Sequence, residues 1–263
     1  MNDIEETLDW EGKPVSCSAC EHRDLLAEGR CQLRRACVHD RYARRIDRFF
    51  YWNRELANRY LKHPYFEVRA IAAKFADVFH LPPLLEDADE TVRFSALIRL
   101  PRKYLLKMRN DPDREVRIRV AYKLEGRDLL EMRADQDYYV RLVVARRLPS
   151  AMLHLMLHDR DREVRLMVAQ RIDAEWLPRL AADRDADVRL ETARRLDGAW
   201  LAALLDDPDW RVRHEVASRA EVPLIQALID DVDELVREMA RSRIQGEETN
   251  LETVVDRFSG GLT

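Results

Sequence analysis

Glycine is scarce in this chain, with seven in 263 residues. That scarcity argues against Gly-rich phosphate loops and against β architectures that turn often. Cysteine is absent after Cys37, yet four occur before it, Cys17, Cys20, Cys31 and Cys37. Were they only small core residues, some would fall in the longer remainder, so something local requires them. No apolar run approaches the roughly 20 residues that span a bilayer. The opening MNDIEETLDWEG also lacks the apolar stretch of a secretory signal. The expectation is a cytoplasmic protein without membrane association. Charge of one sign is missing too, because 45 Lys and Arg stand against 49 Asp and Glu, leaving −4. This excludes a uniformly basic nucleic-acid binder, and a 46% hydrophobic content excludes disorder by composition. P-loop, G-x-G-x-x-G and H-E-x-x-H motifs are absent, as is any recognisable nucleophile–base pattern. The chain is therefore expected not to be an enzyme.

What is present is a repeat. A Val-Arg pair recurs every twenty-four residues, from Val68-Arg69 and Val92-Arg93 through Val116, Val140, Val164, Val188 and Val212 to Val236-Arg237. A fixed period of this size signals a stacked array of supersecondary units, here eight over residues 63–244. With each Val as position zero, Asp stands at −5 and again at −3 in seven repeats, Asp87 and Asp89 being the first such pair. The −5 Asp reads as the N-cap, since Pro follows it in Asp111-Pro112 and Asp207-Pro208, and the −3 Asp then lies in the first turn. Apolar residues at 0, +4, +5 and +8 form a helical stripe, with Ala at +5 in six repeats. A second, short apolar segment with Leu or Ile at +13 and Leu or Met at +16 fits a stub of helix, partly 3₁₀. Such a unit cannot fold alone and is stable only when stacked. At the ends the pattern breaks. His63 and Tyr65 replace the first pair of aspartates, and Arg241 replaces the core Ala of the last repeat. The segment 245–263 then reads as a cap or tail, with Leu251, Val254, Val255 and Phe258 on one amphipathic stretch.

The charges in register invite two readings. The −3 Asp and the +1 Arg are four residues apart, acid first, and both project near the apolar stripe, so they must be paired within a repeat or to its neighbour. An architectural ladder is favoured over a ligand groove. Lys or Arg at +7, from Arg99 to Arg243, reads as solvated surface or as a basic rim for an acidic partner. Tyr138, Tyr139 and Trp210 sit at normally polar positions and suit either partner binding or packing, whereas Trp176 and Trp200 read as core.

The cysteines form C-x2-C-x10-C-x5-C, Cys17 to Cys37. A C-x2-C pair directs two thiolates at one metal or cluster, and two more complete a set of four. Nearby Arg23, Arg30, Arg34 and Arg35 favour thiolates. Spacing alone leaves iron–sulfur and zinc both open, with His22 and His39 able to replace a thiolate in a zinc site but read as surface residues. Behind the cysteines, His39–Lys62 reads as one helix with Ile46, Phe49, Phe50 and Tyr60 on its apolar stripe. Residues 30–62 carry ten Lys or Arg against three Asp or Glu, a basic excess interleaved with aromatics that suits packing on the first repeat or nucleic acid.

A D-x-D-x-x-V-R…A-x-x-L repeat of twenty-four residues behind a four-cysteine module resembles the leucine-rich repeat variant (LRV) iron–sulfur proteins. The resemblance implies an all-α, right-handed α-solenoid superhelix of eight repeats with alternating α and short 3₁₀ helices. It also implies a small N-terminal iron–sulfur module, residues 1–62, holding a [4Fe–4S] cluster on Cys17, Cys20, Cys31 and Cys37, with zinc the lesser alternative. It supplies no reaction. The expected function is a non-enzymatic protein-binding scaffold that the cluster stabilises or redox-gates. Electron transfer and nucleic-acid binding are the alternatives.

Overall fold

The twenty-four-residue period is realised as a long helix followed by a short one, as the computed structural model of residues 6–259 shows, with only the backbone described over 247–259. The described residues contain no strand, only two isolated bridges, Leu8 with Pro14 and Gln32 with Ala36. None of the described helices is long and apolar enough to cross a membrane. The chain forms two compact units, Met1–Asp128 and Leu129–Thr263. The first unit opens with α1 (Arg23–Ala27) and α2 (Ala43–Trp52), followed by the first-repeat helix α3 (Phe66–Phe75).

In both units the long helices bury the predicted stripe. Every repeat Val from Val68 to Val236 is essentially solvent-free, as are the +5 alanines Ala73, Ala121, Ala145, Ala169, Ala193 and Ala217. Alanine is needed there because a larger side chain would hold neighbouring helices apart. The short second elements are α in some repeats and 3₁₀ in others, for example α at Arg102–Met108 in the first unit and 3₁₀ at Ser150–Met156 and Ala174–Leu180 in the second. Leu153, Leu177 and Leu201 at +13, with Met156, Leu180 and Leu204 at +16, close the core beneath them.

The two aspartates have the opposite roles to those predicted. The −3 Asp is the N-cap: Asp113 Oδ1 accepts from Glu115 N–H at 2.8 Å and Asp89 Oδ1 from Thr91 N–H at 2.9 Å. The −5 Asp lies outside the helix and takes the guanidinium of the preceding repeat. Within the first unit Arg69 pairs with Asp87 and Arg93 with Asp111; within the second, Arg141, Arg165, Arg189 and Arg213 pair with Asp159, Asp183, Asp207 and Asp231. Each is a two-point fork, Nε to one oxygen and Nη2 to the other, at 2.7–3.0 Å. The third nitrogen, Nη1, bonds the carbonyl of its own repeat's −5 residue, as Arg93 does to Asp87 O at 2.9 Å and Arg69 to His63 O at 2.8 Å. The carboxylate is thus fully engaged across the repeat boundary, which leaves the next Asp to start the helix.

A second ladder replaces the predicted basic rim. The +7 arginines donate to last-turn carbonyls of the preceding long helix: Arg99 to Ala73 O in the first unit, Arg195 to Ala169 O and Ile172 O, and Arg243 to Ala217 O in the second. A cation at a helix C-terminus satisfies orphan carbonyls and suits the dipole, so these side chains are neither solvated surface nor a free rim. Lys123 is the exception and is exposed.

Four other expectations are corrected. The segment 39–62 is not one helix: α2 stops at Trp52, and Arg54–Tyr60 continues as 3₁₀. Buried Asn53 makes the break, its amide Nδ2 donating to both Phe49 O and Arg30 O at 2.9 Å. Trp200 is not core but 60% exposed. Trp176 is half-buried, stacked on His154 with ring centroids 4.7 Å apart. His22 is buried, as detailed below. The last helix runs unbroken from Glu234 to Ser259, with Arg241 exposed on it. The packing of the predicted cap side chains, Leu251 to Phe258, lies outside the described residues.

The ladder makes stability pH-dependent. Hydrogen bonds from Arg213 hold Asp231 below the usual carboxylate range; at Asp87 burial works the other way, but Arg69 prevails and lowers it too. A depressed folded-state pKa contributes stability above the unfolded value, about 3.9, and loses it as pH falls through the folded one. Urea midpoints should therefore be flat from neutral pH down to about 5 and fall steeply below 4. An unchanged midpoint at pH 3 would contradict the ladder's contribution.

Candidate metal centre

The cysteine segment has little regular structure because its few apolar residues cannot bury a helix face of their own. It wraps the start of α2, whose Ile46, Phe49 and Phe50 are fully buried. The chain enters through Cys17 and Cys20, both partly exposed, and passes α1 to the buried pair Cys31 and Cys37. Between these two, residues 32–36 form a tight hairpin, Gln32 N–H to Ala36 O at 2.9 Å and the reverse at 2.8 Å, with Arg34 in the left-handed region at φ 63°.

All four thiols are free, and they are close enough to perturb one another. A thiol hydrogen bond from Cys37 pulls Cys31 below the usual cysteine range, and the same bond pushes Cys37 far above it. Burial first, and then the neighbouring Cys37 and Cys20 sulfurs, raise Cys17. A main-chain N–H points at one of the sulfurs, His22 N lying 3.4 Å from Cys20 Sγ, and the amides of Gln32 and His39 act to lower Cys31 and Cys37. Amide donors of this kind stabilise thiolates. Four thiols without a disulfide, three of them beside a main-chain amide, suit a soft metal or an iron–sulfur cluster in donor chemistry.

Beside Cys20 lies a polar cluster that linear reasoning only partly found. His22 is 9% exposed, and burial lowers its pKa, so the ring is neutral. Its Nε2 contacts the Tyr60 hydroxyl, which donates to Glu21 Oε1 at 2.8 Å. A phenol has one proton, so both contacts are satisfied when Nε2–H of His22 donates. Burial first, and Glu21 second, raise Tyr60 well above the phenol range, while the same bond lowers Glu21. His39 Nε2 is 3.9 Å from Glu21, and Glu21, His22 and His39 converge within the span of a metal site. His22 Nε2 is engaged with Tyr60 rather than presented as a thiolate substitute. Tyr60 was visible in the sequence as one apolar-stripe residue among several; nothing in its spacing marks the hydroxyl. A cavity of about 400 Å³ opens here, lined in part by Trp10, Val15, Cys20 and His39.

Residues 7–59, which contain the four thiols, match a family model described as the LRV protein FeS4 cluster. A solved structure described as a leucine-rich repeat variant with a novel repetitive protein structural motif superposes with a TM-score of 0.80 at 42% identity, covering 87% of this chain and 98% of that one. The chain belongs to the leucine-rich repeat variant family. Its fold is accordingly the family's all-α solenoid of repeats with an N-terminal FeS4 module. An uncharacterised 27.7 kDa protein in the nifB 3′ region of Rhodobacter capsulatus is 54% identical over 96 residues, 36% of this chain. The LRV chain aligns with 39% of that curated relative's length.

Proposed function

We propose that this LRV protein is a non-enzymatic protein-binding scaffold in which Cys17, Cys20, Cys31 and Cys37 hold a [4Fe–4S] cluster that governs the order of the first repeats. Bound there, the cluster supplies four thiolate bonds that close the segment and a one-electron couple. One observation carries the gating part. An unbroken path of contacts leads from Cys20 to the first rung of the ladder. His22 N–H meets Cys20 Sγ, and His22 Nε2 meets Tyr60. Tyr60 packs on His63 with ring centroids 6.0 Å apart. His63 O accepts from Arg69 at 2.8 Å, and Arg69 grips Asp87. A change at Cys20 is thereby felt at an element whose stacking depends on that arginine. The binding part rests on exposed anchors of the kind that dominate interfaces, Trp200 at 60% exposure with Trp210 and Tyr138 in the second unit.

The test is amide exchange on anaerobic protein with the cluster loaded or stripped by chelator. Protection over α3 and the following helix, Glu90–Leu97, should fall on stripping. Tyr60→Phe keeps the ring but removes the hydroxyl bridge, so it should retain iron while shrinking that difference. Equal protection in loaded and stripped wild-type protein would reject the gate.

Electron transfer is the second reading, favoured by the partial exposure of Cys17 and of Cys20, which lines the cavity. A cluster that cannot be cycled reversibly removes it. The nucleic-acid reading loses half its motivation, because the +7 arginines bond helix carbonyls. The proposed setting is the reducing cytoplasm, where free thiols and clusters persist.

A further inference from the structure

One face of the cysteine module holds four arginines that have no ion-pair partner among the described residues. Arg34 and Arg35 come from the hairpin between Cys31 and Cys37, and Arg44 and Arg48 from α2. Arg44, Arg48 and Trp52 follow at four-residue steps and share the side of α2 opposite its buried Ile46, Phe49 and Phe50. The hairpin lies on that side: Arg48 Nη1 donates to Arg35 O at 3.3 Å, and the Arg35 guanidinium sits 5.6 Å over the Trp52 ring. Loop and helix thus present one continuous surface.

Its charge is not incidental to a basic protein, since the chain as a whole carries −4. Three other arginines of this module find acids, Arg41 meeting Glu6, Arg45 buried Asp40, and Arg30 both Glu28 and Glu55, while Arg54 rests over the Tyr51 and Phe75 rings. Asp47, the one acid on α2, is turned to Lys74. Among the described residues none of the four arginines has a carboxylate within ion-pair distance. Arg44 and Arg48 stand about 6 Å apart along the helix with the two hairpin arginines beside them, so the four like charges repel each other.

We propose that this face docks an acidic protein surface, a compact cluster of aspartate and glutamate side chains, over the loop that carries the buried half of the thiol set. All four cations are arginine, whose planar fork binds carboxylates at two points and is weakly hydrated. Arginine and tryptophan are also the side chains that most often anchor protein interfaces. A phosphodiester backbone fits less well. The patch spans only two turns of helix, and exposed Glu28 and Glu55 stand at its rim, joined through Arg30, whose carbonyl is held by Asn53 at the end of α2. Those glutamates repel an extended polyanion that runs on past the patch, whereas a small acidic cluster stays on the arginine face.

The inference rests on the protein-binding reading but not on the cluster gate. A failed gate leaves this surface standing, and a failed surface leaves the amide-exchange difference intact. The test uses the anaerobic, cluster-loaded full chain and a fluorescein-labelled Asp/Glu-rich peptide, with a single-stranded oligonucleotide of matched charge alongside. Anisotropy titrations compare wild type with Arg34→Glu/Arg44→Glu, and with Arg127→Glu/Arg146→Glu, which changes net charge equally at exposed positions elsewhere. Peptide affinity should fall roughly tenfold or more in the first pair and little in the second. Arg34→Lys/Arg44→Lys should restore part of it, and unchanged iron content confirms that each variant is folded. Tighter binding of the oligonucleotide than of the peptide, lost in the same pair, overturns the proposal in favour of nucleic acid. Equal losses in both pairs, or no peptide binding at low ionic strength, also overturn it.

Discussion

Cys37→Ser should abolish iron and sulfide binding and unfold the N-terminal module while leaving the last repeats protected. Anaerobically purified wild-type protein should be brown and carry about four iron and four sulfide per chain. The expected effect is large because the segment has little else to hold it. Its buried side chains gather around the start of α2, and between Thr7 and Arg30 only the five-residue α1 and an isolated bridge are regular. A domain of about 60 residues buries only about 60% of its unfolded surface, and structural metal sites in small modules contribute on the order of 10 kcal/mol. Serine at Cys37, which is 4% exposed, also leaves a hydroxyl in a place built for sulfur. Amide exchange should show protection lost across α1 and α2, with the helix Trp210–Arg219 unchanged. Colourless wild-type protein with stoichiometric zinc would overturn the cluster assignment. Iron retained by Cys37→Ser would remove that residue from the ligand set.

The repeat was legible because burial has a period. A helix that must cover the same neighbour every twenty-four residues needs Val at zero, a small residue at +5 and Leu at +13, and these positions are solvent-free where the pattern placed them. Hydrogen-bond partners across a repeat boundary have no such signature. Both aspartates share the period, and only the fold decides that Asp111 reaches back to Arg93 while Asp113 caps its own helix. The +7 arginines carry the same ambiguity, since a side chain on a stripe edge has either water or the preceding helix's carbonyls within reach. At the cysteine module, spacing identified four thiols but not their surroundings. His22 read as surface because nothing local announces that Phe49 and Tyr60 close over it, with ring centroids 5.2 and 5.9 Å away. The break at Asn53 was hidden because its amide bonds Arg30 O, twenty-three residues earlier. Trp200 failed in the other direction: the stub offers an apolar register position that this ring does not bury.

Asp111→Ala should destabilise the first unit by about 3–5 kcal/mol, whereas Asp113→Ala, two residues on, should cost about 1 kcal/mol. The two carboxylates look alike in sequence and differ in what they leave behind. Asp111 and Arg93 are 5% and 7% exposed, and the fork joins them at 2.7 and 2.8 Å. Truncating Asp111 strands Nε and Nη2 of a buried guanidinium that cannot lose its proton, and also removes the acceptor for Asp113 N–H. Arg93 retains only its Nη1 bonds to Asp87 O and Ala88 O. Asp113 caps a helix end that water can reach, so its loss exposes N–H groups of Glu115 and Val116 to solvent rather than to a dry interior. Arg93→Met with Asp111→Leu should cost less than Asp111→Ala alone, since removing both charges removes the unpaired one. Urea melts of the three variants, with amide exchange over residues 90–123, measure these differences. Equal losses at Asp111 and Asp113 would mean that both aspartates only cap helices, and that the stack is held by apolar packing alone.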